Sequence, residues 1–252
     1  MSEAASTPLS VTLRRWRDGI ALLTGGLSPR SRVVTPLVPD NRYEMHLSRA
    51  LFTCRYAPQQ SVLEFGCGTG FSAHVLLEAG AQRYLGVEEF ERPVRHAHRR
   101  YGSDRVHFRT GNLAAPSSEL GRHGLVLAMD VLSRYEHAES VLRLYADHVD
   151  DGGVLVAGVP LARNKSDILA ARAAGARTVL YPWYWASFFD ELFEETRVFR
   201  HCAPDGVIDW SEPSPSSYDA KDFRFEEEET PQSLPAQAGI AAFFVASKPR
   251  RR

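Results

Sequence analysis

The sequence predicts an α/β fold, one mostly parallel, doubly wound sheet, and three observations carry that expectation. Five short apolar runs alternate with helical patterns between Ser61 and Val159. A glycine-rich turn joins the first of these runs to the helix after it. The 252 residues also suffice to bury one large core.

The elements follow in order. Met1 to about Ser10 is small and polar and reads as a flexible tail. A helix over about Val11–Leu23 ends near Gly25-Gly26, and a second covers Arg42–Tyr56 after Pro39-Asp40. In the second, Tyr43, His46, Leu47, Ala50, Leu51 and Cys54 recur three and four apart, which predicts one helix face. Ser61–Phe65 is a buried strand, Phe71–Ala79 a helix, Arg83–Val87 a strand and Arg92–Tyr101 a helix. Val106–Arg109 and Leu125–Met129 are the third and fourth strands. Glu139–Val149 is a helix stopped by Asp151-Gly152-Gly153, and Val154–Val159 is the fifth strand. Beyond Pro160, helices are expected over Asp167–Gly175 and Trp183–Phe193, and strands over Glu195–Cys202 and Gly239–Ser247. Ser211–Pro235, rich in Ser, Pro and Glu, reads as an irregular excursion.

Composition narrows the function classes. Lys plus Arg is 30 and Asp plus Glu 31, a net charge of -1, so no global field draws in nucleic acid or an anionic membrane. Arg95, Arg99 and Arg100 read as a local basic patch or as the solvated face of a helix. Cys54, Cys67 and Cys202 are too few and too scattered for a zinc site or a disulfide framework. The polar N-terminus is no signal peptide, and no apolar stretch approaches a membrane span, so a cytoplasmic location is expected.

The strongest signal is Glu64-Phe65-Gly66-Cys67-Gly68-Thr69-Gly70, set between a strand and a helix. Glycines let the chain turn sharply and approach a ligand, and the next helix's amides can face an anionic group. A dinucleotide fingerprint would place its last glycine at Phe71. Alternate glycines after an acid instead resemble the first motif of class I S-adenosylmethionine-dependent methyltransferases.

That resemblance spans about Tyr43–Val159 and the strand-like tail. It implies a Rossmann-like sheet of seven strands whose last is antiparallel, and S-adenosyl-L-methionine as donor, leaving as S-adenosyl-L-homocysteine. Its positions map onto Glu64, Gly66, Gly68 and Gly70 of the loop. Glu88 takes the place of the acid that accepts from the ribose hydroxyls, with Glu89 as substitute if the strand ends one residue later. Arg109–Leu113 resembles the adenine-reading segment, with Asn112 where the family more often has Asp, and Leu113 beside it. Asp130, ending the fourth strand, is read either as a partner of the donor's ammonium or as a cap of the next helix. Tyr43 resembles the aromatic that covers the donor carboxylate, or else is core.

A general base is required only if the acceptor arrives protonated, and His46 and His137 are the candidates. The aromatic run Tyr181–Trp185 forms an acceptor wall or seats a helix on the sheet. Signatures of nucleic-acid amino-methylating enzymes, metal-dependent catechol-type relatives and pyrimidine C5 enzymes are missing. The expected reaction is therefore metal-independent methylation, on oxygen, of a small molecule such as a metabolite, natural product or sugar. The alternatives are a protein methyltransferase and a non-catalytic donor-binding scaffold. The expected organisation is a tail at 1–10, a helical lid at 11–58 and a methyltransferase domain at 59–249 with an insertion at about 211–235, working as a monomer or homodimer without nucleic acid or membrane.

Overall fold

The computed structural model describes residues 41–173, 175–204, 218–234 and 239–250. The helix expected at Val11–Leu23 and the tail before it lie outside the described residues. Eight strands form one sheet: β1 (Ser61–Phe65), β2 (Arg83–Glu88), β3 (Val106–Thr110), β4 (His123–Met129), β5 (Val149–Pro160), β6 (Phe193–Cys202), β7 (Arg224–Glu228) and β8 (Ala241–Pro249). Their order is β3-β2-β1-β4-β5-β8-β6-β7. The first five strands run parallel, β8 lies antiparallel between β5 and β6, and β7 adds an antiparallel edge. The sequence order reverses between β1 and β4, and such a switch point opens a crevice beyond the strands' carboxyl ends.

The six described helices are α1 (Asn41–Thr53), α2 (Phe71–Glu78), α3 (Glu91–Tyr101), α4 (Ala138–Ala146), α5 (Lys165–Ala173) and α6 (Pro182–Leu192). Alternate residues of the strands feed two cores on opposite faces. On one face Leu63, Val126 and Phe244 meet α4 and α6, with Phe65 stacked on Tyr145 at 3.9 Å and Phe189 on Phe244 at 4.7 Å. On the other, Val62, Leu127 and Phe243 meet Phe52 of α1, Leu76 of α2 and Ala97 of α3. No described helix is long and apolar enough to cross a membrane.

Three expectations need correction. Ser211–Pro235 is not wholly irregular: the acidic run Glu226–Glu229 enters β7, a strand beyond the seven expected. There Glu227 pairs with Arg197, while Glu226 and Glu228 pair with the buried Arg200, so like charges are spread over opposing arginines. Secondly, the Asp151–Gly153 segment belongs to β5, which starts at Val149 and reaches its pairing with β4 through a register shift between His123 and Leu125. Thirdly, the buried surface of α1 extends beyond the expected face, of which Tyr43 and Ala50 are covered. Met45, Ser48, Arg49 and Phe52 are covered, whereas Leu51 is half exposed. The helix is packed on two sides, by the sheet and by the chain at Ala220, whose amide donates to Glu44. Phe52 of α1 joins the core on this face of the sheet, stacked on Phe225. As for the aromatic run, Trp185 is fully buried and seats α6, while Tyr181 and Trp183 stack at 4.6 Å.

Candidate active site

The glycine loop is shaped by three left-handed residues, Gly66 (φ 75°), Gly68 (φ 53°) and Gly70 (φ 75°). Two are closed in. A Cβ on Gly66 would lie 2.4 Å from Val131, and one on Gly70 2.5 Å from Phe108. The loop is thus pressed against the end of β4 on one side and β3 on the other. A Cβ on Gly68 would meet nothing within 4 Å. This middle glycine borders open space, the kind of cradle that backbone approach to a ligand requires.

Glu64 is buried. Its Oε2 accepts from Ser72 Oγ at 2.5 Å and from Tyr84 OH at 2.7 Å, all three buried. Burial pushes its carboxyl above the ordinary range, against the pull of those two donors. The acid ties β1 and β2 to the first turn of α2.

Glu88 closes β2 and is buried. Its Oε2 accepts from the Gly68 amide at 3.1 Å, and its Oε1 accepts from the amides of Glu89 at 2.8 Å and Phe90 at 3.4 Å. The strand boundary therefore falls at Glu88 and joins it to the open glycine. Glu89 is engaged elsewhere, accepting from Tyr135 OH at 2.9 Å. Since β1 lies between β2 and β4, this bond bridges two segments that flank the end of β1.

At the end of β3, exposed Asn112 spends one lone pair of its side-chain carbonyl on the Ala114 amide at 2.9 Å, fixing the turn. Its second lone pair and its amine remain beyond that bond. Leu113 is fully buried, its side chain 3.8 Å from the Cβ position of Gly66, and its carbonyl accepts from Tyr145 OH at 2.9 Å.

Asp130 follows β4 in a left-handed conformation (φ 55°), which non-glycine residues seldom adopt. Its carboxylate, about a third exposed, forms an ion pair with Arg49 of α1. Burial would raise its pKa, but Arg49, His46 and Arg134 outweigh it and hold the carboxyl below its usual range. The helix-cap reading of Asp130 is thereby corrected: the next turn carries Val131 at its N-cap and α4 carries His137, neither with a side-chain cap bond. His46 stands near enough to act on Asp130, on the same helix as Tyr43, whose ring lies 5.7 Å from Phe71 at the start of α2. His137 is exposed at the head of α4.

Two further polar residues were not legible as part of this cluster. Arg49 lies one helical turn from His46 and shares its face, a spacing that points to it in hindsight. His201, from distant β6, is fully buried beside Arg49 and Ser48. Among the described residues no cluster of His, Cys, Asp and Glu is arranged to hold a metal.

Comparison with known proteins identifies the family and the fold. Residues 32–197 match a family described as a methyltransferase domain. No curated protein matches the sequence. A possible histamine N-methyltransferase from Thermotoga maritima is similar in structure, with a TM-score of 0.56, 18% identity and coverage of 82% of this chain and 95% of that one. The N-methyltransferase NodS from Bradyrhizobium japonicum, bound to S-adenosyl-L-homocysteine, gives 0.57 at 13% identity over 92% and 99%. Magnesium protoporphyrin IX methyltransferase from Synechocystis, with the same ligand, gives 0.51 at 15% identity over 94% and 95%.

Proposed function

The chain belongs to the methyltransferase-domain family and is an S-adenosylmethionine-dependent methyltransferase, and from that premise we propose that it methylates an oxygen atom of a small-molecule acceptor without a metal. The observation that carries this reading is the charge coupling between His46 of α1 and Asp130, which Arg49 pairs at the carboxyl end of β4. A hydroxyl acceptor must lose a proton as its oxygen attacks, and a histidine next to a carboxylate is suited to take it. Exposed His137 is the weaker candidate. Near-neutral overall charge favours a small acceptor over a nucleic acid, and magnesium protoporphyrin IX methyltransferase is a case of this fold serving one.

The residues fit the donor. S-adenosylmethionine supplies a methyl group on a positively charged sulfur, a good leaving group. Gly68 leaves room for close backbone approach, and Glu88 offers a carboxylate to paired ribose hydroxyls. Asn112 and Leu113 would hold the adenine, Tyr43 and Asp130 the amino-acid end. The protein's contribution is chiefly alignment of the acceptor oxygen with the methyl group.

The test is incubation of the purified chain with methyl-labelled donor, first with hydroxylated small molecules and then with cell extract. Label in small, neutral ether products together with S-adenosylhomocysteine is expected. Label confined to precipitable polymer would replace the small acceptor by a protein one.

A further inference from the structure

We propose that Arg49 and His201 form a buried positioning pair that holds the Asp130 carboxylate, in its left-handed backbone conformation, at the mouth of the active site. The inference rests on the reading of Asp130 as a group facing the donor and deepens it by two residues.

The chain of contacts is continuous. Arg49 Nη1 donates to Asp130 Oδ2, and Arg49 Nε donates to His201 Nδ1 at 3.4 Å. Arginine only donates, so Nδ1 is the acceptor and the ring proton sits on Nε2. That nitrogen lies 3.0 Å from Ser48 Oγ, whose own hydrogen goes to the Met45 carbonyl at 2.7 Å. The imidazole is clamped from the other side by Phe225, stacked at 4.3 Å, and by Phe243 edge-on at 5.6 Å. Burial lowers its pKa to about 2, with Arg49 and His46 pushing the same way, so it remains a neutral acceptor. The charges facing Asp130 are Arg49 and His46 from α1 and Arg134 from the turn after β4.

Packing alone does not require this arrangement. A buried arginine and histidine are costly, and apolar residues of similar volume often hold two elements together as well or better. What they cannot supply is a fixed cation for a carboxylate on a strained residue. The guanidinium is planar with a set fork, so fixing Nε on His201 fixes the direction of Nη1 as well.

The experiment uses the full chain labelled with 13C at aspartate carboxyls, with the Asp130 signal assigned by Asp130→Asn. His201→Phe keeps the aromatic stack but removes the acceptor for Arg49. It is expected to lower the melting temperature by a few degrees, the cost of an unpaired Arg49 Nε–H, and to raise the Asp130 titration midpoint by about one pH unit. At pH 6, where Asp130 stays ionised in both proteins, affinity for S-adenosylhomocysteine should fall about tenfold because the carboxylate is no longer held in place, the scale of one hydrogen bond to a charged group. His201→Gln, which restores an acceptor, should recover both. An unchanged midpoint in folded His201→Phe overturns the proposal and leaves His201 a packing residue. Should that variant not fold, Ser48→Ala decides: releasing Nε2 is expected to move the midpoint upward, and no movement overturns the pair. Wild-type protein that binds no S-adenosylhomocysteine would refute the donor-facing reading instead, while the midpoints still decide the positioning role.

Discussion

Glu88 is the residue on which the donor site turns, and its burial changes what its removal does. A solvated strand-end acid would be removed almost freely, but this one accepts three backbone amides from two loops. Glu88→Ala is therefore expected to cost about 1–3 kcal/mol of stability, the penalty for leaving such donors unpaired. Donor affinity should fall by roughly 1.5–3 kcal/mol, and Glu88→Gln should lose less of each. Urea unfolding and calorimetry with S-adenosylhomocysteine measure the two separately; unchanged stability would mean the amides find water. His201 gives a pH signature. Folded, it takes no proton until about pH 2, whereas in the unfolded chain it titrates near 6.5. Below about pH 6.5 the unfolded state binds the extra proton, so this residue lowers stability by about 1.4 kcal/mol for each unit of further acidification. Asp130, held low, acts in the same direction, and Glu64, held high, opposes it. Unfolding free energies at pH 7, 6 and 5 should show a shallower slope in His201→Phe than in wild type, and equal slopes would refute the assignment.

At the scale of the loop and its helix, the three glycines differ in what surrounds them, and substitution should separate them. Gly70→Ala places a methyl 2.5 Å from Phe108 and 2.8 Å from Ala97 on a left-handed residue, so α2 and α3 cannot both keep their seats. A loss of about 3 kcal/mol or more is expected, the sum of left-handed strain and overpacking. Gly68→Ala meets no neighbour and bears only the backbone strain of about 1–2 kcal/mol. Its methyl, however, projects into the space read as the donor's. It should fold yet bind S-adenosylhomocysteine poorly, and normal binding would place the ligand elsewhere. The loop was readable because strand, alternating glycines and helix are local in sequence, as were the first five strands with their apolar runs. The partners of each acid were not local. Nothing near Glu64 in the chain announces Tyr84, and nothing near Arg49 announces His201, 152 positions away. β7 escaped for a related reason: Glu226–Glu229 reads as part of an irregular excursion until Arg197 and Arg200 lie opposite it.

Across the whole molecule, α1 shows what helix periodicity leaves open. An apolar stripe ahead of the first strand reads as a lid, but a stripe does not say what it faces. In the fold, Phe52 stacks on Phe225 at 4.1 Å and meets Phe199 and Phe243 edge-on, so one side chain of α1 joins β6, β7 and β8. Ser48 and Arg49 hold His201, and Glu44 holds the Ala220 amide. Emptying a buried phenylalanine site alone costs about 3–5 kcal/mol, against a total stability of about 5–15 kcal/mol for a typical domain. A chain beginning at Asn41 keeps all of these contacts and is expected to unfold cooperatively and bind S-adenosylhomocysteine. A chain beginning at Pro58 loses the whole set and uncovers the aromatic cluster, so it is expected to lose its near-ultraviolet dichroism and its cooperative urea transition. Should the shorter chain retain both, α1 is after all a cover laid on a sheet that is stable without it.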